Sequence, residues 1–293
     1  MTSGATTYQR PGANMVDGEF AFTEADFRRI SAMVHGEAGI SLPESKATLV
    51  YSRLAKRLRA LGLSSFKDYC ALVAGADGLD ERQKMLAALT TNVTRFFREP
   101  HHFDHLRDRV LPQLLDAVRK GGKVRIWSAA CSSGQEPFSI AMTILSVMPE
   151  APQHDIKILA TDIDPNMVAE GRGATYASHL LEGVPPEHRR RWTQNTPDGV
   201  RMTDDVRALV TFNELNLIGD WPMKGRFDAI FCRNVAIYFE DETQSRLWSR
   251  FAPLTNTNGA LYIGHSERIQ GPAVAVYKPD GVTTYRKLGE GRA

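Results

Sequence analysis

Long apolar runs are missing from this sequence. The longest, RIWSAACSS and FDAIFC, are core-strand length, far short of the roughly 20 apolar residues a membrane span needs, so no direct membrane insertion is expected. The opening MTSGATTYQRPGANMVDGEF has no basic region followed by an apolar block; residues 1–18 read as a disordered leader rather than a secretory signal. Cysteine is scarce too. Cys70, Cys131 and Cys232 lie far apart without any CxxC, which excludes a disulfide framework and suits a reducing, cytoplasmic setting with each thiol a small buried hydrophobe. Charge bias is nearly absent: 36 basic against 34 acidic side chains leave +2, too little to argue for nucleic acid. No GxGxxG occurs, so a dinucleotide is poorly supported, and the missing GK[ST] excludes a triphosphate loop.

What is present is an ordinary globular composition, 42% hydrophobic and 24% charged over 293 residues, long enough for two domains. Residues 19–90 read as a helical domain. Thr23 begins a capping signature, TEADF, and Phe27, Ile30, Met33 and Val34 recur at helical spacing until Gly36 and Gly39. A second helix puts Val50, Leu54, Leu58 and Leu61 on one stripe and ends at Gly62. From Lys46 to Ala60 the chain carries Lys46, Arg53, Lys56, Arg57 and Arg59 and no acid, a basic face suited to an acidic partner. SFKDYCALVAG and LDERQKMLAALT complete a small bundle.

Residues 91–293 change character. KVRIWSAA, IKILATDID, RFDAIFCRN and GALYIGHSE alternate with helical stretches, which predicts an α/β fold, a parallel Rossmann-like sheet with helices on both faces and ligands at the strand carboxyl ends. AVAVYKPDGVTTYRKL reads as an antiparallel edge hairpin. A Pro-rich polar piece at about 177–215 reads as a helix plus a small inserted β-subdomain.

Between the two parts lies LTTNVTRFFRE, Leu89 to Glu99, positive, aromatic and hydroxyl-lined, without a nucleophile–base pair or metal-ligand spacing. The loop SAACSSGQEP follows the first strand; its small residues let a ligand approach the backbone, and Glu136 favours positive charge. TDID ends the second strand. Asp162 and Asp164 both qualify to accept ribose hydroxyls, and alternation points them the same way. Asparagines in NELNLI and CRNVAIYF suit an adenine edge and an amino-acid head group. A nucleoside bearing cationic sulfur and an amino acid is S-adenosylmethionine. The histidines at 101, 102 and 105 share helical spacing but lack an acid pair or cysteine; a helix face is expected and no metal.

LTTNVTRFFRE…HHF, WSAACSSGQEPFSIAM, ATDID, FDAIFCRNVAIYF and GHSE stand in this order and together resemble the CheR-type chemotaxis receptor methyltransferases, over about residues 24–288. The resemblance implies a class I S-adenosylmethionine methyltransferase domain behind a helical receptor-recognition domain. It further implies transfer of methyl groups to glutamate carboxylates on the cytoplasmic helices of chemoreceptors, with S-adenosylhomocysteine as product. Cofactor contacts carry over onto Asn92, Thr94, Arg98, Glu136, Asp162, Asn216, Leu217, Arg233 and Asn234; Arg98 and Tyr238 match the pair near the transferable methyl. Arg53, Lys56, Arg57 and Arg59 fall on the helix implicated in receptor docking. The loop here is GQEP where the family often has GEEP, and retained Glu136 implies retained cofactor binding. The inserted piece is a few residues shorter than in members that grip a receptor's C-terminal pentapeptide, which argues against such tethering. Two rival readings stand beside this one: a methyltransferase for another substrate, and a CheR-like scaffold that binds cofactor without turnover. The lack of an aromatic-and-basic single-strand platform argues against RNA.

Overall fold

Thr23 and Asp26 cap each other, side chain to backbone in both directions, and so start helix α1 (Glu24–Ala38). The computed structural model describes residues 14–289, and contacts divide the chain into two compact units, Met1–Thr90 and Thr91–Ala293. The first unit holds α1, α2 (Ala47–Leu61), α3 (Phe66–Ala74) and α4 (Leu79–Leu89). Phe22, Ile30, Val50, Leu54, Leu58 and Phe66 are fully buried at its centre. Two expectations need correction. Helix α1 runs through Gly36 and stops only at Gly39, which takes the left-handed conformation. Leu61, the fourth member of the α2 stripe, is 39% exposed because the helix ends beneath it. Of the expected leader, residues 1–13 lie outside the described residues. Residues 14–18 do not behave as free chain: Asn14 bridges to Thr23, and the Met15 N–H donates to Phe22 O at 2.8 Å.

The second unit opens with α5 (His101–His105), a π-helical turn and α6 (Leu111–Arg119). There follow β1 (Val124–Ala129), α7 (Gln135–Val147), β2 (Ile156–Asp162), α8 (Pro165–Gly173) and β3 (Thr175–Tyr176). Next come α9 (Pro186–Trp192), β4 (Thr193–Thr196), β5 (Gly199–Met202), α10 (Asp204–Ala208) and β6 (Val210–Glu214). The chain closes with β7 (Phe227–Cys232), α11 (Asp241–Leu254), β8 (Thr255–Ile263), β9 (Tyr277–Gly281) and β10 (Thr284–Lys287). The main sheet has the order β6-β2-β1-β7-β8-β10-β9, parallel from β6 to β8 and closed by the antiparallel pair. This is the expected doubly wound sheet with an antiparallel edge.

Apolar strands such as β1, whose residues are buried except for Arg125, suit a sheet covered on both faces. Trp127 on β1 meets Trp221 and Phe251 edge-on at 5.0 and 5.2 Å, and Phe231 stacks on Tyr262 at 4.1 Å. Strand order reverses between β1 and β7, so the loops after β1, β2 and β7 frame the crevice where such sheets bind ligands. The inserted piece differs in extent from its sequence reading. Its three-stranded sheet, β3-β5-β4, begins at Thr175, and β6 belongs to the main sheet as a parallel partner of β2. As an edge strand with only Phe212 buried, β6 lacks the apolar run that marks its neighbours.

Candidate active site

The turn after β1 carries positive φ at Ala130 (60°), Ser132 (50°) and Gly134 (97°), folding the chain sharply over the strand end. Gly134 cannot be replaced cheaply: a Cβ there would lie 2.9 Å from the Tyr176 hydroxyl and 3.1 Å from Phe212. Ser132 N–H donates to Asp162 Oδ2 at 2.7 Å, and Asp164 N–H to Asp162 Oδ1 at 3.0 Å. Burial raises the Asp162 pKa against these backbone donors. Asp164 is occupied differently. It caps α8, with Oδ1 taking the N–H and Nδ2 of Asn166 at 2.9 and 3.0 Å, while Oδ2 takes Asn92 Nδ2 at 2.8 Å. The alternative left open by TDID thus divides by role: Asp164 is committed to capping α8 and to the Asn92 side chain, whereas Asp162 receives backbone N–H groups, from Ser132, Ile163 and Asp164.

Glu136, in the first turn of α7, accepts from Ser128 Oγ at 2.7 Å and from Arg233 at 3.1 Å. Burial raises its pKa, with Arg233 and Ser128 opposing. Arg233, directly after β7, is 6% exposed. Besides Glu136 it reaches the carbonyl of Arg98 and lies 3.5 Å from Glu99 Oε2. Glu99 has a left-handed backbone (φ 58°); its Oε1 accepts from Asn234 Nδ2 at 3.3 Å and lies 3.2 Å from His265 Nδ1. Burial would raise its pKa, but Arg233, His265 and His102 together hold it below the ordinary carboxylate value. One guanidinium therefore lies between two carboxylates and ties the loops after β1 and β7 to the segment at 92–99.

That segment is fixed at both ends. Ser132 Oγ donates to Asn92 O at 2.9 Å, and the Phe97 N–H to Ser139 Oγ at 3.0 Å. Arg98 is half-buried and donates to Val93 O at 3.1 Å; Thr94 is half-buried beside it in sequence. After β6, Asn216 Oδ1 accepts from Ile218 N–H at 2.9 Å, and Leu217, buried, gives its carbonyl to Arg250 at 2.8 Å. Tyr238 ends a 3-10 turn, Ala236–Tyr238, in the loop after β7 and is half-buried.

Sequence reasoning passed over Glu99 and Glu267. Glu267, the last residue of GHSE, is 3% exposed and accepts backbone N–H groups from Asn234 (3.0 Å), Val235 (2.9 Å), Ala236 (2.7 Å) and Gly264. His265 of the same motif is mostly exposed. Of the histidines after Glu99, His101 is exposed, and His102 and His105 are packing groups. His102 is fully buried, its Nε2 2.9 Å from Thr283 Oγ1, and burial with Arg233 lowers its pKa to about 3. His105 contacts the Tyr262 hydroxyl at 3.0 Å. Ligating atoms of Glu99, His101 and His102 lie within 4.8 Å of one another, but the Arg233 guanidinium already supplies the positive charge beside Glu99 Oε2.

In the helical unit, Arg57 forms a two-pronged pair with Glu81 at 2.8 and 2.6 Å, joined by the Tyr69 hydroxyl at 3.1 Å. Arg53 donates to the carbonyls of Ala88, Leu89 and Thr90 at the end of α4. Arg59 pairs with Glu19 at the surface, and Lys56 is exposed. The two inner arginines brace the bundle, whereas Lys56 and Arg59, like Lys46 of the same basic run, are exposed.

No helix among the described residues is long and apolar enough to cross a membrane. Residues 92–284 match the family described as "CheR methyltransferase, SAM binding domain", and residues 25–90 the one described as "CheR methyltransferase, all-alpha domain". The chain is 55% identical over 263 residues to a probable chemotaxis protein methyltransferase of Rhizobium etli, covering 88% of this chain and 98% of the relative. It is 39% identical to the chemotaxis protein methyltransferase of Escherichia coli, covering 91% of this chain and 92% of that one. Against the Salmonella typhimurium protein of the same name it is 37% identical, covering 97% and 98%. Matched in both units and along nearly its whole length, the chain belongs to the CheR methyltransferase family, with S-adenosylmethionine as its cofactor.

Proposed function

We propose that this protein methylates glutamate side chains on the cytoplasmic helices of chemoreceptors, giving methyl esters for sensory adaptation. The residues at the crevice fit the cofactor. Asp162 places a carboxylate at the end of β2, suited to a ribose diol, and the small residues from Ala129 to Ser133 leave the backbone approachable. Asn92, Thr94, Glu136, Asn216, Leu217, Arg233 and Asn234 complete the set that the family resemblance assigns to it. When bound, S-adenosylmethionine supplies an electrophilic methyl group on a sulfonium centre.

The observation that carries the reading is the Arg98 cation, whose backbone carbonyl accepts from Arg233 at the crevice. Arg98 is half-buried and donates to Val93 O at 3.1 Å, while Cys131 and Cys232 are poor nucleophiles: burial pushes both thiols well above the ordinary cysteine value. A glutamate carboxylate, with a reference pKa of about 4.3, is already an anionic nucleophile at neutral pH. Its methylation asks the protein for alignment, worth about 7–11 kcal/mol when done well. Arg98 orients the carboxylate through its planar fork, and Tyr238 donates its hydroxyl to the same end of the site. Too tight a grip would stabilise the ground state and slow transfer, so positioning outweighs charge neutralisation. In the helical unit Lys56 and Arg59 meet the acidic receptor helices; no nucleic acid is required as a partner.

The test is methyl transfer from radiolabelled S-adenosylmethionine to receptor-containing membranes, followed by alkali. Volatile, alkali-released methanol counts are expected. Cofactor binding without such counts on any receptor would favour the scaffold reading, and alkali-stable counts another substrate.

A further inference from the structure

Asn234 has an unusual backbone for a non-glycine residue, φ 59°, and asparagine is among the few side chains that tolerate it. It sits between a buried cation, Arg233, and the turn that carries Tyr238. Two features hold it there. The Glu267 carboxylate receives four backbone N–H groups: Oε1 takes Val235 and Ala236, and Oε2 takes Asn234 and Gly264. From the other side, Gly264 leaves room for the loop, since a Cβ there would fall 2.4 Å from Asn234 Nδ2 and 2.7 Å from its backbone nitrogen. The Glu267 N–H returns to Gly264 O at 2.9 Å and closes the turn.

We infer that Glu267, together with Gly264, is the positioning element of the loop after β7, setting Asn234 for the cofactor and the Ala236–Tyr238 turn for the methyl-transfer end. The chemistry suits a carboxylate and little else. Four converging donors form a nest for an anion. Glutamine would offer one oxygen and turn an NH2 group toward two N–H donors, leaving buried groups unpaired. Aspartate would keep the charge but fall one methylene short. Converging N–H groups also account for a deeply buried carboxylate that has no cationic partner among its hydrogen bonds.

The inference rests on the proposed contact between Asn234 and the cofactor, so the experiment measures both. S-adenosylhomocysteine affinity is read by calorimetry for the full-length wild type, Glu267→Gln, Asn234→Ala and the double variant, with Gly264→Ala as an independent perturbation. Melting curves and circular dichroism confirm that each variant is folded at the assay temperature. Glu267→Gln is expected to weaken binding about tenfold or more, and the double variant to be no weaker than the stronger single one, the non-additivity of neighbours acting through one group. Gly264→Ala, which leaves Glu267 intact, is expected to weaken binding in the same direction. A purely structural Glu267 would lower the melting temperature and leave the affinity of the folded protein unchanged. Unchanged affinity in Glu267→Gln, or additive losses in the double variant, would overturn the inference. If Asn234→Ala alone left affinity intact, the assigned cofactor contact would be wrong, a separate outcome. Should Glu267→Gln not fold, Gly264→Ala and its double variant with Asn234→Ala decide by the same criterion.

Discussion

Replacing Arg233 by alanine removes the cation held between Glu99 and Glu136. Its contacts, 3.1 Å to Glu136 and 3.5 Å to Glu99, are each worth about 5 kcal/mol of gross attraction at an effective dielectric of about 20. Desolvation of three nearly buried groups offsets most of that sum in the native protein, yet removing one partner strands the others, at about 3–5 kcal/mol. The loss depends on pH. Burial already holds Glu136 above the ordinary carboxylate value against Arg233, and loss of the guanidinium moves it further up; Glu99, held down largely by Arg233, follows. A carboxyl whose folded pKa exceeds its unfolded value gives stability that is full below the unfolded value and disappears as pH rises through the folded one. The penalty should therefore be largest near about pH 8 and shrink toward about pH 5.5 as the stranded carboxyls take up protons. Urea unfolding of the cofactor-free protein, followed by tryptophan fluorescence, measures this in the right place, because Trp127, Trp192, Trp221 and Trp248 all belong to the second unit. A loss under about 1 kcal/mol at neutral pH, the size of an exposed pair, or an equal loss at both pH values, would refute the reasoning.

Arg57→Met should destabilise the helical unit by about 2–3 kcal/mol, below the cost for a fully buried pair because Arg57 keeps a quarter of its side chain exposed; far-UV circular dichroism in urea measures it, and no loss would mean that Glu81 needs no cation. Lys56→Glu with Arg59→Glu should raise the KM for receptor and leave S-adenosylhomocysteine affinity intact, whereas equal loss of both would show a structural face instead of a docking one. Arg98→Ala should lower turnover by about 10²–10³, the scale for one preorganised donor, and near-normal turnover would remove the clamp from the mechanism.

Much of this architecture was legible because it is local. The Thr23 capping signature, the buried α2 positions Val50, Leu54 and Leu58, and the apolar strands β1, β2, β7 and β8 each announce themselves within a few residues. Strand β6 escaped because an edge strand beside a polar insertion shows no apolar run. Partners far apart in sequence were illegible. Arg57 looks like one more cation on a basic helix until Glu81, 24 residues later, is seen beside it. Glu99 and Asn234 are 135 residues apart, and Glu267 reaches back 33 residues to Asn234. TDID could not choose between its two aspartates since the deciding donors, Asn92 and Ser132, come from other loops.

The central claim is that transfer to a glutamate carboxylate proceeds by positioning, with no general base. The pH dependence of kcat/KM on receptor-containing membranes tests it most directly. The account predicts a profile that is level from about pH 6 to about pH 8, because the nucleophile, with a reference pKa of about 4.3, is ionised throughout. A unit-slope limb within that range, marking an enzyme group that must lose a proton before transfer, would contradict it.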